Sequence, residues 1–422
     1  MSEQKLNRSP WAWVPTLYFA EGIPYFVVNV ISVTMFKRLG MSNGDLAMYT
    51  SLLYLPWVIK PLWSPFVDVL KTKRWWVLAM QTLITAGFAA LALSIRPGLL
   101  ALSLICFYIV AFASATHDIA ADGFYMIALP EKEQSLFVGI RSTFYRIASV
   151  FGQGVLVVLA GVLEQRTGDI PLAWSLTIGL SCVMFALFTL WHFYALPPEA
   201  SAEKTDSASS GAELKGIFRN FGRVWAEFFR KDGVWLAIVF MLLYRLPEAF
   251  SVKMLTPFLL DSPAEGGLGL STADSGLVYG TVGVIALTVG GILGGVFAAR
   301  RGLRRSLWPM SLALALPCAV YLYMAAAQPS QLWVVYLCVA VDQFGYGFGF
   351  TAYMLYMMHF SDGEYKTSHY AICTAFMALS MMIPGFFAGW IQEALGYVGF
   401  FIIVMICCLA TVFVTFFARR HC

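Results

Sequence analysis

Charge is what this sequence has least of. Asp, Glu, Lys and Arg make up only 12% of its 422 residues, against about 25% in a soluble domain, while 59% are hydrophobic and the mean hydropathy is +0.72. A water-soluble globule is excluded. Clustered polar chemistry is scarce as well. The five histidines are scattered, and Cys106, Cys182, Cys318, Cys338, Cys373, Cys407 and Cys408 all fall inside apolar runs, with Cys422 as the last residue. No metal-ligand spacing results, so the cysteines read as small packing residues, and neither a metal nor a cofactor is expected. A membrane enzyme would need a nucleophile with a base, or a metal cluster, near one membrane face, and no His or Cys grouping provides it. A sensor would bring a soluble output domain, and the central polar stretch, residues 197–232, is too short for one.

A bilayer-spanning helix needs roughly 20 mostly apolar residues. Breaking the chain at its charged, Pro and Gly clusters gives twelve such segments, near residues 13–37, 46–70, 75–95, 99–128, 136–163, 171–196, 233–260, 271–299, 306–328, 331–359, 367–391 and 396–418. The predicted fold class is therefore an all-α membrane protein of twelve transmembrane helices. The first segment is too long for a signal-peptide core, carries Glu21 and lacks a small-residue cleavage site after it, so it reads as a retained helix. With the N-terminus in the cytoplasm, the inner segments hold 19 Lys and Arg and the outer ones four, Lys37, Arg38, Arg96 and Arg166. The positive-inside rule then puts both termini in the cytoplasm. The net charge of +4 is this asymmetry rather than a nucleic-acid footprint, and the partner expected of the surface is the lipid bilayer.

Composition shifts to Pro, Ser, Ala and charge in "LPPEASAEKTDSASSGAELK" at 196–215, as in a connector. The expected organisation is an N-terminal six-helix bundle over 1–196, a cytoplasmic linker over 197–232 and a C-terminal six-helix bundle over 233–422. Within the linker, Leu214, Ile217, Phe218, Phe221, Trp225 and Phe228 recur at helical spacing, with Lys215, Arg219, Arg223 and Arg230 mostly elsewhere. That pattern suits a basic amphipathic helix on the anionic inner leaflet. The halves also resemble each other. "SPFVDVLKTKR" at 64–74 corresponds to "GVFAARRGLRR" at 295–305, "GVLEQRTG" at 161–168 to "GWIQEALG" at 389–396, and "EGIPYF" to "YRLPEAF". Duplicated six-helix units are a transporter architecture, with two pseudo-symmetric bundles.

On these motifs the chain resembles the major facilitator superfamily. Gly295, Arg300, Gly302, Arg304 and Arg305 stand on positions of that superfamily's inner-loop signature, with Ala299 where an acid is usual; in the first half Asp68 keeps the acid, followed by Lys73 and Arg74, with Ser64 where Gly is usual. The resemblance implies a conformational gate at these turns, an acid near a helix end held by neighbouring arginines.

Charges inside the membrane are costly, about 2.5–3.5 kcal/mol each at the centre on insertion scales, so they face the bundle interior and are paired or functional. Here they are Glu21, Lys60, His117, Asp118, Asp122, Arg141, Arg146, Arg245, Glu248, Lys253 and Asp342. At 1.5 Å per residue, Asp118 lies about 16 Å and Asp122 about 10 Å from the inner end of the fourth segment, and Arg146 about 15 Å and Arg141 about 8 Å up the fifth. Matching levels predict two rungs, Asp118 with Arg146 near the midplane and Asp122 with Arg141 nearer the cytoplasm, where Arg141 counts among the gate residues. Arg141 and Arg146 are about 140° apart around a helix, which strains one rung. Glu21, Lys60 and Arg245 sit at similar, central depths. Basic groups there, Lys60, Arg146 and Arg245, suit an anionic substrate, and acids suit proton coupling, because loss of water favours a protonated carboxyl. Glu21 is the first candidate proton carrier, then Asp118, with Asp122 beside it; His117 reads as a packing residue. Tyr25, Trp57 and Tyr145, near these charges, could stack on a sugar or another planar group.

Within the superfamily, "FAEGIPY", "KPLWSPFVD", "SATHDIAADGFYMIALP" and "STFYRIASVFGQG" resemble AmpG-type muropeptide permeases over most of residues 15–170. The matching positions are Gly22, Ile23 and Pro24; Trp63, Ser64, Pro65 and Asp68; Asp118 and Asp122; Tyr145 and Arg146. His117 stands where Gln is usual, and the second half matches much less. The resemblance implies a monomeric carrier that uses the proton gradient to import anhydro-muropeptides, anionic and sugar-containing, across a bacterial inner membrane. An acetyl-coenzyme A or other organic-anion transporter, or an exporter of drugs or metabolites, are the alternatives.

Overall fold

Proline and glycine decide where the apolar segments bend and where they meet. The computed structural model describes residues 9–96, 98–198, 221–363 and 365–421, and the described residues are helical throughout the apolar segments, with no strand among them. In chain order the helices are α1 Pro10–Arg38, α2 over 43–69, α3 Lys73–Ser94, α4 Leu100–Ala128, α5 over 131–167, α6 Ile170–Ala195, α7 Val234–Leu260, α8 Thr272–Arg301, α9 Leu303–Ala327 and α10 Leu332–Phe360. The stretch from 366 to 418 breaks at Gly396, whose φ of 68° and ψ of 174° are not helical, into α11 over 366–395 and α12 over 397–418. Ten stretches are long and apolar enough to cross a membrane. Dividing the last at Gly396 and adding α2, which Pro56, Pro61, Pro65 and Lys60 make more polar and more broken, agrees with twelve crossings.

Three helices carry wide π turns: Val27–Ile31 just after Pro24 in α1, Phe151–Leu156 in α5 and Gly276–Gly283 in α8. The latter two touch. A Cβ added to Gly280 would stand 1.9 Å from the Gln153 carbonyl oxygen, so α5 and α8 cross backbone to backbone, an approach only glycine permits.

The two halves are tied together at the ends opposite the basic turns, and the ties repeat. Glu164, in "GVLEQRTG", accepts hydrogen bonds from Thr272 Oγ1 (2.7 Å) and Trp174 Nε1 (2.8 Å) and pairs with Arg38 at 3.0 Å. Gln392, in the matching position of "GWIQEALG", accepts from Asn43 Nδ2 (2.7 Å). Asn43 and Thr272 each follow a helix-capping serine: Ser42 accepts from the Asp45 N–H and Ser271 from the Asp274 N–H, both at 3.1 Å. Beside them, a Cβ on Gly161 would lie 2.3 Å from Ala273 N and one on Gly389 1.8 Å from Asn43 O. The α2–α11 side adds Asp261, which accepts from Tyr397 (2.6 Å) and pairs with Lys37 (2.5 Å).

Residues 199–220 lie outside the described residues, and with them Leu214, Lys215, Ile217, Phe218 and Arg219 of the predicted amphipathic helix. The described remainder is helical over 221–229. Its Phe228 is buried against Phe360, His369 and Phe376, and Lys231 Nζ donates to the carbonyls of Phe360 and Asp362 at 2.6 and 2.7 Å. This part of the apolar face is covered by the C-terminal bundle, where the pattern alone had suggested lipid.

Candidate functional site

Helical spacing of four places Asp118 and Asp122 on one stripe of α4. Asp122 takes the predicted rung: Arg141 Nη2 is 2.9 Å from it, Tyr18 donates to it at 3.0 Å, and the guanidinium lies over the Tyr18 and Tyr125 rings at 4.5 and 5.2 Å. Asp118 does not. It pairs with Lys60 of α2 instead of Arg146. The reason is azimuth: with Arg141 turned to Asp122, Arg146 points elsewhere, toward α8, where its Nη2 is 3.7 Å from the place a Cβ of Gly291 would occupy. Arg146 is exposed, and no carboxylate pairs with it among the described residues.

Glu21 is only 8% exposed and lies against Asp118, and its Oε2 has no hydrogen-bond partner among the described residues. Three carboxyls, Glu21, Asp118 and Asp122, thus share one pocket with two cations, Lys60 and Arg141. Burying that set leaves one negative charge uncompensated, and a single proton cancels it.

Near the cluster Tyr25, Trp57 and Tyr145 come together. Tyr25 meets Trp57 edge-on at 5.2 Å and Tyr145 at 6.5 Å, and all three are half-buried. Gly22 allows this, because α1 presses on α5 so closely that a Cβ would stand 2.7 Å from that of Ala148.

In the C-terminal half, Arg245 is not free for a ligand. Glu248, one turn along α7, grips it with two bonds of 2.7 and 3.0 Å, and Arg245 donates a third to Tyr346 at 2.8 Å while lying over Phe350 at 4.8 Å. Lys253 is buried, donating to Thr50 of α2 (3.1 Å) across the halves, and Asp342 accepts from Tyr321 (2.6 Å) and Gln343 (3.0 Å). Sequence reasoning had not connected Tyr18 to Asp122 or Tyr346 to Arg245. Tyr18 could have been found, since it precedes Glu21 by three residues on the same face of α1. His117 is held in a buried chain, His117 to Gln81 to His192 to Thr16, each contact 3.0 Å, that ties α4, α3, α6 and α1.

At the basic turns, Arg74 donates to the carbonyls of Phe193 (2.9 Å) and Leu196 (3.4 Å), and Lys73 packs where a Cβ of Gly123 would be, 2.8 Å from its Cε. The Asp68 side chain lies outside the described residues. Arg300, Arg304 and Arg305 make no ion pair among the described residues, and Ala299 leaves the second turn without the acid of the first.

The family profile described as Major Facilitator Superfamily matches residues 16–370 and 247–421. The anhydromuropeptide permease of Escherichia coli (strain K12) is 26% identical over 399 residues, covering 92% of this chain and 75% of that one. A putative AmpG transporter of Rickettsia felis is 23% identical over 417 residues, 94% and 95% of the two chains. Among solved structures, a bacterial homologue of the human lysosomal transporter Spinster, inward-facing and occupied, superposes with a TM-score of 0.73 at 14% identity over 100% of this chain and 98% of the other. A D-xylose–proton symporter gives 0.69 at 13% over 96% and 95%. At these identities the structural likeness speaks for the fold.

Proposed function

Because the chain belongs to the major facilitator superfamily, and is thus a multi-pass membrane transporter rather than an enzyme, we propose that it imports anhydro-muropeptides across a bacterial inner membrane, driven by the proton gradient. The observation that carries the reading is the odd acid of the N-terminal cluster: three carboxyls against two cations, with one Glu21 oxygen unpartnered. Glu21 is the proton carrier. Asp118 and Asp122 hold Lys60 and Arg141, and so set the field in which Glu21 gains and loses its proton.

Arg146 supplies the other half of the coupling. Among the central cations it alone of the described residues is exposed without a carboxylate, so it takes a carboxylate of the substrate in a bidentate grip. Tyr25, Trp57 and Tyr145 offer ring faces to the sugars. One proton on the cluster and one carboxylate on Arg146 neutralise both sites together. The empty and the doubly loaded sites each sum to zero charge, whereas a proton alone leaves one positive charge in excess and a carboxylate alone one negative, so only the singly loaded sites would bury a net charge on closing, and that links proton entry to substrate entry. The carrier works as a monomer with both termini in the cytoplasm and needs no cofactor. The names of the relatives, the basic centre and the aromatic trio support the substrate class.

Uptake of radiolabelled anhydro-muropeptide into proteoliposomes, acid outside, tests this. Accumulation above the external concentration is expected, and its loss on adding a protonophore. Accumulation of acetyl-coenzyme A in place of anhydro-muropeptide overturns the substrate, and uptake indifferent to the protonophore overturns the coupling.

A further inference from the structure

The basic turn of the C-terminal half has no place in that scheme, and its geometry is unusual for a turn that serves only to orient the chain. Arg301, Arg304, Arg305, Arg419 and His359 line one cavity of about 580 Å³ where the ends of α8, α9, α10 and α12 meet. Gly302, at φ 74°, turns the chain sharply enough to set the arginine-bearing ends of α8 and α9 side by side. No carboxylate pairs with these side chains among the described residues; Asp362, the nearest acid along the chain to His359, is bonded to Lys366 at 3.0 Å. The first-half counterpart differs, because Arg74 is spent on backbone carbonyls. Ala299, which corresponds to Asp68, removes the acid that would otherwise answer the arginines. Inside positive charge needs only to lie on the inner side, in any arrangement. Convergence of four guanidiniums on one concavity raises their mutual repulsion unless an anion enters.

We propose that this cavity binds a phosphate-bearing anion. Planar guanidinium forks match phosphate oxygens two at a time, and several forks around one cavity favour a ligand with several acceptor oxygens over a lone carboxylate. The position suits the membrane–water border: Arg301 lies over Phe297 at 4.7 Å and Arg420 over Phe416 at 4.6 Å, with the aromatic rings on the apolar side. The phosphate comes either from the head group of an anionic phospholipid or from a soluble phosphate ester, and the cavity is large enough for a head group.

The test uses the whole purified protein in a neutral detergent, with fluorescent short-chain phosphatidylglycerol and phosphatidylcholine as probes and inorganic pyrophosphate as competitor. Phosphatidylglycerol is expected to bind at least about tenfold more tightly than phosphatidylcholine, and Arg304→Gln with Arg419→Gln to erase about that factor. Arg96→Gln, on the opposite membrane side, should change nothing. Displacement by pyrophosphate assigns the site to phosphate itself; failure to displace assigns it to the lipid head group. Equal binding of the two lipids, or wild-type affinity in the double variant, overturns the proposal. Should the double variant fail to fold, Arg304→Lys with Arg419→Lys keeps the charge and loses the forks, and wild-type affinity there is equally fatal.

Discussion

The two halves hold their membrane charges in opposite ways. In the N-terminal half five charged side chains from α1, α2, α4 and α5 share one pocket, with an acid in excess and an oxygen of Glu21 left over. In the C-terminal half Arg245 and Glu248 stand one turn apart on α7 and close on each other through two bonds, with Tyr346 completing the arginine. A pair on one helix travels with that helix and feels little when helices slide. A cluster spread over four helices is remade by every such movement. Both sets lie within membrane-spanning helices, so apolar surroundings alone do not tell them apart. The count of charges and the number of helices that share them do.

Removing the odd acid is the sharpest way to break the contrast. Glu21→Gln should abolish concentrative uptake altogether and leave exchange of substrate down its own gradient, read as counterflow in proteoliposomes. In the C-terminal half, Glu248→Ala should cost about 3–5 kcal/mol of stability by stranding Arg245, read as a large drop in melting temperature. Arg245→Met with Glu248→Leu should recover most of that, which a ligand-binding arginine would not allow without loss of uptake. Arg146→Gln comes next, with KM raised about tenfold, the value of a charged hydrogen-bonded contact, and little change in melting temperature. Tyr18→Phe removes one donor from Asp122 and should lower uptake only a few-fold, shifting its dependence on external pH. If Tyr18→Phe matched Glu21→Gln in severity, the division of labour within the cluster would be wrong.

The apolar segments were legible because a bilayer imposes a length that few other environments do. So was the Asp122–Arg141 rung, since rise per residue fixes level. Level says nothing of azimuth, and that is why Asp118 was matched to Arg146 when Lys60, at the same depth on α2, was the partner. The likeness of "GVLEQRTG" to "GWIQEALG" was visible as a repeat, but its use was not. That Glu164 and Gln392 reach Thr272 and Asn43 across the halves depends on which helices become neighbours. The basic turns read as a pair, the second without its acid because of Ala299, but that the second turn's arginines line a cavity of their own was not visible in their spacing.

Proton movement coupled to substrate is the direct test. In proteoliposomes holding a pH-sensitive dye and no imposed gradient, adding anhydro-muropeptide outside should acidify the lumen with wild-type protein and leave it unchanged with Glu21→Gln, while counterflow persists in both. Equal acidification by the two proteins would contradict the assignment of the proton to Glu21.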